Sequence, residues 1–400
     1  MKITAVRCVE YRGTMEHPGT FWEARQGRPT DIYPSLDANG PRRLPQMGEG
    51  AYAMSSIFVH IETDAGLSGT GGFIGAEHVL IIESQLKGLL IGADPLAHER
   101  LWDMMYRSAI HGRKGATMQA ISAIDCALWD LKGKWAGVPT CVLLGGPTRE
   151  SLPAYASMLG HSLEPERVAE RSRTVAQQGY GAMKWFFRHS PKDGKAGMEA
   201  NIALARTVRE AVGPDVDIML DAWNSWDVPY TLAMAERLAE FSPRWLEEPV
   251  MPDKIASYAE ITRRIGNGIA VAGGEHEYTR FGTHQLLEAR AMHVYQIDTV
   301  WAGGLTEMQK VAALCSAYDV QLIPHGHTTP ANLHLLYALP PTLAPLLEYL
   351  LKSNTLSQWF LKYPVVPENG AVPPPTRPGL GMELDEAKIE SRREVTFAAV

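Results

Sequence analysis

Three short apolar segments between residues 217 and 275 each end on a carboxylate: Asp217-Ile218-Met219-Leu220-Asp221, Arg244-Trp245-Leu246-Glu247 and Ile269-Ala270-Val271-Ala272-Gly273-Gly274-Glu275. The terminal acids, Asp221, Glu247 and Glu275, are separated by 26 and 28 residues. That interval is the length of one strand, loop, helix and loop, the repeat of a parallel βα fold. Because the carboxyl ends of all strands in a closed parallel barrel meet on one face, the spacing predicts that the three acids converge there.

Three carboxylates brought together without a partner would repel one another and resist ionisation. An all-oxygen set of this kind suits a hard divalent cation, and Mg²⁺ keeps further positions open for water and substrate. Each acid taken singly is typical of a solvated strand end, and the spacing alone also fits a salt-bridge layer at the barrel mouth. We therefore predict a Mg²⁺ site formed by Asp221, Glu247 and Glu275, with the salt-bridge layer as the alternative.

The chain after residue 150 repeats the strand and helix pattern eight times. The predicted strands span 153–159, 180–187, 217–223, 243–249, 269–276, 294–301, 321–326 and 344–350. Amphipathic helices lie between them, because apolar residues recur there at spacings of 3 and 4. We predict an α/β fold for residues 150–362, a modified (β/α)₈ TIM barrel whose working face lies at the carboxyl ends of its strands.

Residues 1–135 precede the barrel and are predicted to form a capping domain of the α+β class. Apolar and polar residues alternate over 2–11 and 56–63, which predicts two strands, and the Gly-rich stretch 66–72 predicts a turn. The intervening segment 12–50 is long for a loop in a compact domain. We interpret it as an ordered lid, because a disordered segment would carry fewer aromatic residues.

The rest of the capping domain is predicted to be helical. Apolar spacing is helical from 78 to 136, and Gly133 and Gly137-Val138-Pro139 are predicted to end the last helix. The Pro-rich start of 363–400 marks the end of the barrel. The apolar end of that segment predicts a return to the capping domain, where it would find a packing partner.

Composition excludes several classes of partner. The net charge is −7, with no basic stretch, so there is no electrostatic case for nucleic acid or an anionic membrane. The four cysteines are far apart and form no metal-type pair, which favours a reducing compartment. No apolar run reaches the roughly 18 residues of a membrane span. We predict a cytoplasmic protein that binds neither nucleic acid nor membrane.

Two further strand ends carry residues suited to acid–base chemistry. The sixth predicted strand ends at Asp298 and the seventh at His325, and neighbouring barrel strands would place these side chains together. A carboxylate that accepts one imidazole N–H fixes the tautomer and leaves the other nitrogen free as a general base. A lone histidine at a strand end is more often structural, but the adjacent acid and the facing metal site favour catalysis.

Three more charged residues complete the predicted ring. Lys184 is predicted to end the second strand among apolar neighbours, and its alternative is a surface lysine whose stem packs on apolar residues. Glu348 on the eighth strand and His276 after Glu275 are candidates for substrate contact; either could instead support the other site residues or lie at the rim.

These residues together resemble the mandelate racemase subgroup of the enolase superfamily. The resemblance runs through nearly the whole chain, including Ile124-Asp125-Cys126-Ala127-Leu128-Trp129-Asp130-Leu131-Lys132-Gly133 in the capping domain. Within the subgroup, five segments look most like the L-rhamnonate dehydratase family: Met183-Lys184-Trp185-Phe186, Met219-Leu220-Asp221, Gly274-Glu275-His276, Gly303-Gly304-Leu305-Thr306 and Pro324-His325-Gly326.

The resemblance implies an acid-sugar (aldonate) dehydratase with one Mg²⁺ per subunit, held by Asp221, Glu247 and Glu275. In that mechanism the metal binds the substrate carboxylate and stabilises the enediolate. His325, oriented by Asp298, would remove the C2 proton and then protonate the departing C3 hydroxyl. The product would be a 2-keto-3-deoxy sugar acid. The expected substrate is L-rhamnonate or a relative such as L-lyxonate or L-mannonate, and a homo-oligomer is expected.

One departure from the subgroup bears on stereochemistry. Many members carry Lys-x-Lys on the second strand, the second lysine being a base on the opposite face, whereas Phe186 stands at that position here. Lys184 is then left for electrostatics or substrate contact. His17, Arg25 and Arg28 of the lid are candidates for contacts with the sugar. The alternatives are a racemase or epimerase of 2-hydroxy acids and a non-catalytic barrel.

Overall fold

The computed structural model describes residues 1–38, 40 and 44–396. Parts of two predicted segments, 39 and 41–43 of the lid and 397–400 at the C-terminus, lie outside the described residues. The capping domain contains strands β1 (Ile3–Glu16), β2 (Gln46–Gly48), β3 (Ala51–Thr63) and β4 (Ser68–Ile74) and helices α1 (Pro34–Asp37), α2 (Ala76–Ile81), α3 (Lys87–Leu90), α4 (His98–Ser108), α5 (Ala116–Ala136) and α6 (Thr140–Leu143). A π-helical turn, Ile82–Leu86, joins α2 to α3.

The barrel and C-terminal segment contain the remaining elements. The strands are β5 (Leu152–Ser157), β6 (Ala182–Phe186), β7 (Asp217–Asp221), β8 (Trp245–Glu247), β9 (Ala270–Gly273), β10 (Val294–Tyr295), β11 (Gln321–Leu322), β12 (Leu347–Leu350), β13 (Ala371–Val372) and β14 (Ser391–Glu394). The helices are α7 (Pro165–Gln177), α8 (Gly194–Val212), α9 (Val228–Leu238), α10 (Ile255–Arg264), α11 (Thr279–Glu288), α12 (Gly304–Ala317), α13 (Thr329–Ala338) and α14 (Leu351–Ser357).

Eight parallel strands form the predicted barrel. Their order is β11-β10-β9-β8-β7-β6-β5-β12, and the N–H of Leu322 in β11 bonds to the carbonyl of Leu343 just before β12 (2.8 Å). Apolar side chains fill the inner layer of the barrel, among them Tyr155, Trp245 and Ile323. Charged groups gather above this packed layer, towards the carboxyl ends of the strands, as expected for this architecture. The predicted fold class is confirmed.

The capping domain is an antiparallel sheet with helices on one face. β3 pairs with β1 and β4, and β14 adds to the other edge of β1, where Val9 lies opposite Glu394. The N–H of Val395 then bonds to the carbonyl of Cys8 (2.8 Å), and the Val395 side chain is buried in the capping-domain core. None of the described helices is long and apolar enough to cross a membrane.

The predicted strand bounds in this domain were too short. β1 extends by about five residues into the predicted lid, and β3 begins about five residues before its predicted start, because their pairing continues from Arg12 and Ser55 to Glu16 and Ala51. Alternation is weak in this extension, since Gly13 and Thr14 interrupt the apolar pattern. The lid proper is therefore residues 17–50, and we use the word in that sense below.

Two glycine-based predictions were also wrong, for 66–72 and for Gly133, whereas the predicted helix end at Gly137 is confirmed. The 66–72 stretch is mostly strand β4, in which a Cβ at Gly69 or Gly71 would lie 2.0 or 2.1 Å from a carbonyl oxygen of α5. These glycines allow the helix to pack directly on the strand. Gly133 lies inside α5, where a Cβ would approach the Gly379 backbone to 2.6 Å, and the helix ends at Gly137 with φ +69°.

Candidate active site

Asp298 and His325 lie side by side just beyond β10 and β11. The backbone N–H of His325 bonds to the carbonyl of Gln296 (3.0 Å), which fixes the two loops together. The imidazole Nδ1 is 2.8 Å from one Asp298 oxygen, while the other accepts the N–H of Val300 at 2.8 Å. A carboxylate in this position holds the proton on Nδ1. The imidazole Nε2 faces Glu275, whose nearest oxygen is 3.6 Å away.

Lys184 lies in the middle of β6, where its ammonium meets three carboxylates inside the barrel. It bonds to Glu247 and lies 2.8 Å from Glu348 and 3.3 Å from Asp221. The prediction that Lys184 ends its strand was wrong, and with the side chain 1% exposed the surface-lysine alternative is excluded. Burial alone would lower the pKa of Lys184, but Glu247, Glu348 and the other nearby groups raise it well above its ordinary value.

The three predicted metal ligands reach the same end of the barrel in different environments. Glu247 is fully bonded within the protein, since one oxygen accepts from Lys184 and the other from Trp245 Nε1 and Gln296 Nε2, both at 2.9 Å. One oxygen of Asp221 accepts the N–H of Trp223 at 2.8 Å. Glu275 lies 3.6 Å from the Nε2 atoms of both His276 and His325.

Glu248 is a buried acid that the sequence analysis did not assign to the site. Consecutive strand residues point to opposite faces, but Glu248 has φ +40°, so the chain turns and both Glu247 and Glu248 are buried. Asn224 Nδ2 donates to Glu248 at 2.8 Å, and His276 Nδ1 lies 2.9 Å from it. Two adjacent glutamates before Pro249 were the available signal.

Ligand-type atoms of Glu248, Glu275 and His276 lie within 4.8 Å of one another. Among the described residues, only these three have ligand-type atoms so close together. The predicted ligands Asp221, Glu247 and Glu275 are farther apart, and Glu247 is turned towards Lys184. The site thus offers two overlapping sets of possible metal ligands, the predicted acids and the Glu248–Glu275–His276 group, which share Glu275.

The donor chemistry of this region fits a divalent cation. Six buried carboxylates face one lysine and two histidines: Asp221, Glu247, Glu248, Glu275, Asp298 and Glu348, against Lys184, His276 and His325. Burial, followed by the field of Glu247, raises the pKa of Asp221 well above its ordinary value, and burial also raises that of Glu275. A bound cation would relieve both effects, and oxygen-rich sets of this kind suit Mg²⁺.

The same carboxylates act on the two histidines. Burial alone would lower the pKa of His325, but Glu275 and Asp298 raise it to about 10. Burial likewise opposes the charge on His276, whereas Glu248 and Glu275 raise its pKa to about 9. The surrounding carboxylates therefore favour the protonated form of both imidazoles, and a cation bound among these acids would weaken that effect.

Glu348 and an aromatic wall complete the arrangement. Glu348 lies on β12, fully buried, where it accepts the N–H of Gly326 at 2.9 Å besides contacting Lys184. Trp301 packs over His325 with ring centroids 4.9 Å apart, and over His276 at 6.0 Å. The side chain of His276 is 29% exposed, unlike the fully buried carboxylates around it.

A cavity of about 630 Å³ opens between this face and the lid. Its wall includes Trp223 and His327, each two residues beyond a predicted site residue, and Phe73 of the capping domain. The lid contributes Arg25 and Arg28, whereas His17 packs its ring against Phe21 and Tyr52 and lies outside the described wall. The sequence analysis did not place His327 in this wall, because two histidines flanking a glycine carry no spacing signal of their own.

Comparison with known protein families covers both domains. Residues 166–388 match the family described as "Enolase C-terminal domain-like", and residues 43–145 match "Mandelate racemase / muconate lactonizing enzyme, N-terminal domain". The chain belongs to the mandelate racemase subgroup of the enolase superfamily. The two matched regions correspond to most of the capping domain and the barrel of this superfamily member.

Individual members of the superfamily are similar over most of their length. An L-rhamnonate dehydratase from Saccharopolyspora erythraea is 33% identical over 360 residues, which is 88% of either chain. A D-galactarolactone cycloisomerase from Agrobacterium fabrum is 35% identical over 84% of this chain and 91% of its own. The crystal structure of rhamnonate dehydratase from Gibberella zeae complexed with Mg has a TM-score of 0.81 at 31% identity, covering 97% of this chain and 95% of that one.

Proposed function

We propose that the protein is a Mg²⁺-dependent acid-sugar dehydratase that converts an aldonate to a 2-keto-3-deoxy sugar acid. The observation that carries the proposal is the Asp298–His325 pair, whose Nε2 faces Glu275 at the strand ends of the barrel. Similarity to L-rhamnonate dehydratases over most of the chain supports the same reaction class.

Asp221, Glu247 and Glu275 would hold Mg²⁺ in this proposal, with Glu248 as a neighbouring acid. Bound there, Mg²⁺ supplies a Lewis acid for the substrate carboxylate and balances the negative charge that develops at proton removal. Lys184 already bonds to Glu247 and would have to share that acid with the metal. It also supplies a permanent positive charge beside the substrate carboxylate.

His325 would act as the general base and then as the general acid. Its Nδ1 proton is held by Asp298, so Nε2 is the atom that takes the C2 proton. The imidazolium formed then gives this proton to the C3 hydroxyl, which leaves as water. Asp298 stabilises the charged imidazolium between the two steps, as an oriented carboxylate does in other acid–base pairs.

Elimination is favoured over racemisation because the opposite face has no evident base. Phe186 stands where a second lysine would be, and its ring centroid lies 5.2 Å from the Lys184 ammonium. Lys184 itself contacts three carboxylates that hold its proton in place. After His325 removes the C2 proton, the described residues therefore offer no proton donor on the opposite face of the enediolate, which loses its 3-hydroxyl instead.

We propose L-rhamnonate or a close stereochemical relative as the substrate. The cavity of about 630 Å³ has the size of a small-molecule site, and its wall combines apolar residues such as Met54 and Leu356 with polar ones such as Ser55. That mixture suits a small sugar acid with an apolar end.

Screening a library of acid sugars with Mg²⁺ for 2-keto acid formation tests the proposal. We expect turnover of one or a few aldonates of a single C2 configuration, dependent on the metal. Failure of every acid sugar to give a keto acid, with Mg²⁺ present and the protein folded, would overturn it.

A further inference from the structure

The lid is attached to the barrel at the loop that follows β6. The N–H of Gly27 in the lid bonds to the carbonyl of Phe187 (2.7 Å), and a Cβ on Gly27 would lie 3.1 Å from the Arg188 carbonyl oxygen. This loop continues the strand that carries Lys184. The position of the lid is therefore defined relative to the strand at the centre of the charged cluster.

Two lid acids face two cations of that barrel loop. Arg188 lies 3.2 Å from Asp31 and 2.7 Å from Asp37, and Lys192 lies 2.9 Å from Asp37. Within the lid, Arg25 holds the same acids together, at 2.8 Å from Asp31 and 3.1 Å from Asp37. The two carboxylates thus bridge the interior of the lid to the barrel.

The same acids contact the lid residues that line the cavity. Asp31 accepts the backbone N–H of Arg28 at 3.0 Å, and both Arg25 and Arg28 line the cavity. A shift of Asp31 away from Arg188 would therefore move the lid portion of the wall. This links the ion pairs to the shape of the space over the strand ends.

We propose that Asp31 and Asp37 are positioning residues that hold the lid over the cavity through Arg188 and Lys192. Opening the lid breaks these pairs and exposes the cavity, and closing remakes them over the bound substrate. The consequence for turnover rests on the proposed function, whereas the position of the lid does not.

The barrel side of this contact is partly exposed to solvent. The side chains of Arg188, Lys192 and Asp37 are 27–28% exposed, so salt can screen their attraction. Hydrogen bonds from Lys192 and Arg188 hold the pKa of Asp37 well below its usual range. The carboxylate thus stays charged at working pH, and ionic strength is the appropriate perturbation.

Hydrogen–deuterium exchange of peptides covering residues 24–38 tests the proposal without substrate. Lys192→Met removes a barrel cation, and Asp37→Asn weakens both barrel pairs of that acid. Glu260→Gln is the matched control, because its pair with Arg264 (2.5 Å) lies on α10 and its carboxylate is also partly exposed. Since an exposed pair contributes about 0.2–1 kcal/mol, we expect exchange to rise about 1.4- to fivefold in each lid variant and not in the control.

The salt dependence of lid exchange and the steady-state kinetics distinguish a positioning role of Asp37 from a merely structural one. Raising NaCl to about 1 M should speed lid exchange in the parent protein and have little further effect in Asp37→Asn. KM should rise about two- to fivefold while kcat is unchanged or higher, and Asp37→Glu should restore both values. Unchanged lid exchange in both variants, or exchange insensitive to salt, would overturn the proposal. Faster exchange in a protein that turns over no acid sugar would leave the lid contact standing and refute the proposed function.

Discussion

Replacing Asp298 by Asn changes one heavy atom, an oxygen to a nitrogen, but reverses the direction of one hydrogen bond. In the parent chain the two carboxylate oxygens accept from Val300 N–H and from His325 Nδ1, each at 2.8 Å. The amide has one acceptor oxygen, and the N–H of Val300, which is partly buried, donates to it. The amide NH₂ then points at Nδ1, which must become an acceptor, so the imidazole proton moves to Nε2 and the base is lost.

The loss in kcat depends on whether the new amide side chain can adopt the opposite orientation. Flipping the amide would restore the tautomer but leave the Val300 N–H unsatisfied, at a cost of about 1–3 kcal/mol, or roughly 5- to 150-fold. The favoured orientation gives the wrong tautomer, which in a serine protease costs about 10⁴-fold in kcat. We therefore expect Asp298→Asn to lower kcat between about 10²- and 10⁴-fold.

Steady-state assays of 2-keto acid formation with Mg²⁺, over a range of pH, provide the measurement. Asp319→Asn is the control, because it makes the same chemical change in an exposed turn after α12. Thermal unfolding of both variants checks that the barrel is intact. Parent-like kcat and an unshifted pH profile in Asp298→Asn would refute the reasoning that His325 works through Asp298.

Three further predictions concern the metal site, the buried lysine and acid stability. Glu247→Gln should lower turnover by orders of magnitude by removing a charge and a ligand, and full activity of this variant in EDTA would contradict the metal assignment. Lys184→Met should lower the free energy of unfolding by about 3–5 kcal/mol in urea titrations, because it leaves buried carboxylates without their cation; unchanged stability would be inconsistent with that role. Burial lowers the pKa of His98 to about 3, so below pH about 6.5 the unfolded chain gains a proton that the folded one cannot, and stability falls as pH falls. His98→Leu should reduce this loss between pH 7 and 4.5 by up to about 1.4 kcal/mol per pH unit, and an unaltered slope would argue against it.

Sequence reasoning located the barrel because its signals are periodic. Eight apolar segments at similar intervals predict eight strands, and all eight observed strands lie within or at most one residue outside the predicted ranges. The acids at strand ends were visible for the same reason. β10 and β11 are nonetheless only two residues long, although backbone bonds such as Ile323 N–H to the Tyr295 carbonyl (2.9 Å) occur just beyond the end of β11.

The remaining features depend on contacts that no local pattern encodes. Glu248 joins the site because one positive φ breaks strand alternation, and glutamate is not a residue that predicts such a conformation. Lys184 is buried because three carboxylates from other strands surround it. The pairing of Asp37 with Lys192 joins residues 155 apart, which spacing arguments cannot detect.

Proton nuclear magnetic resonance of an accepted acid sugar in D₂O with Mg²⁺ tests the central claim most directly. With His325 as the base on one face and Phe186 on the other, we predict steady formation of the 2-keto-3-deoxy acid. Any deuterium found at C2 of recovered substrate should be present with retention of configuration. Accumulation of the C2 epimer would contradict the account, because it requires a second base on the face that Phe186 occupies.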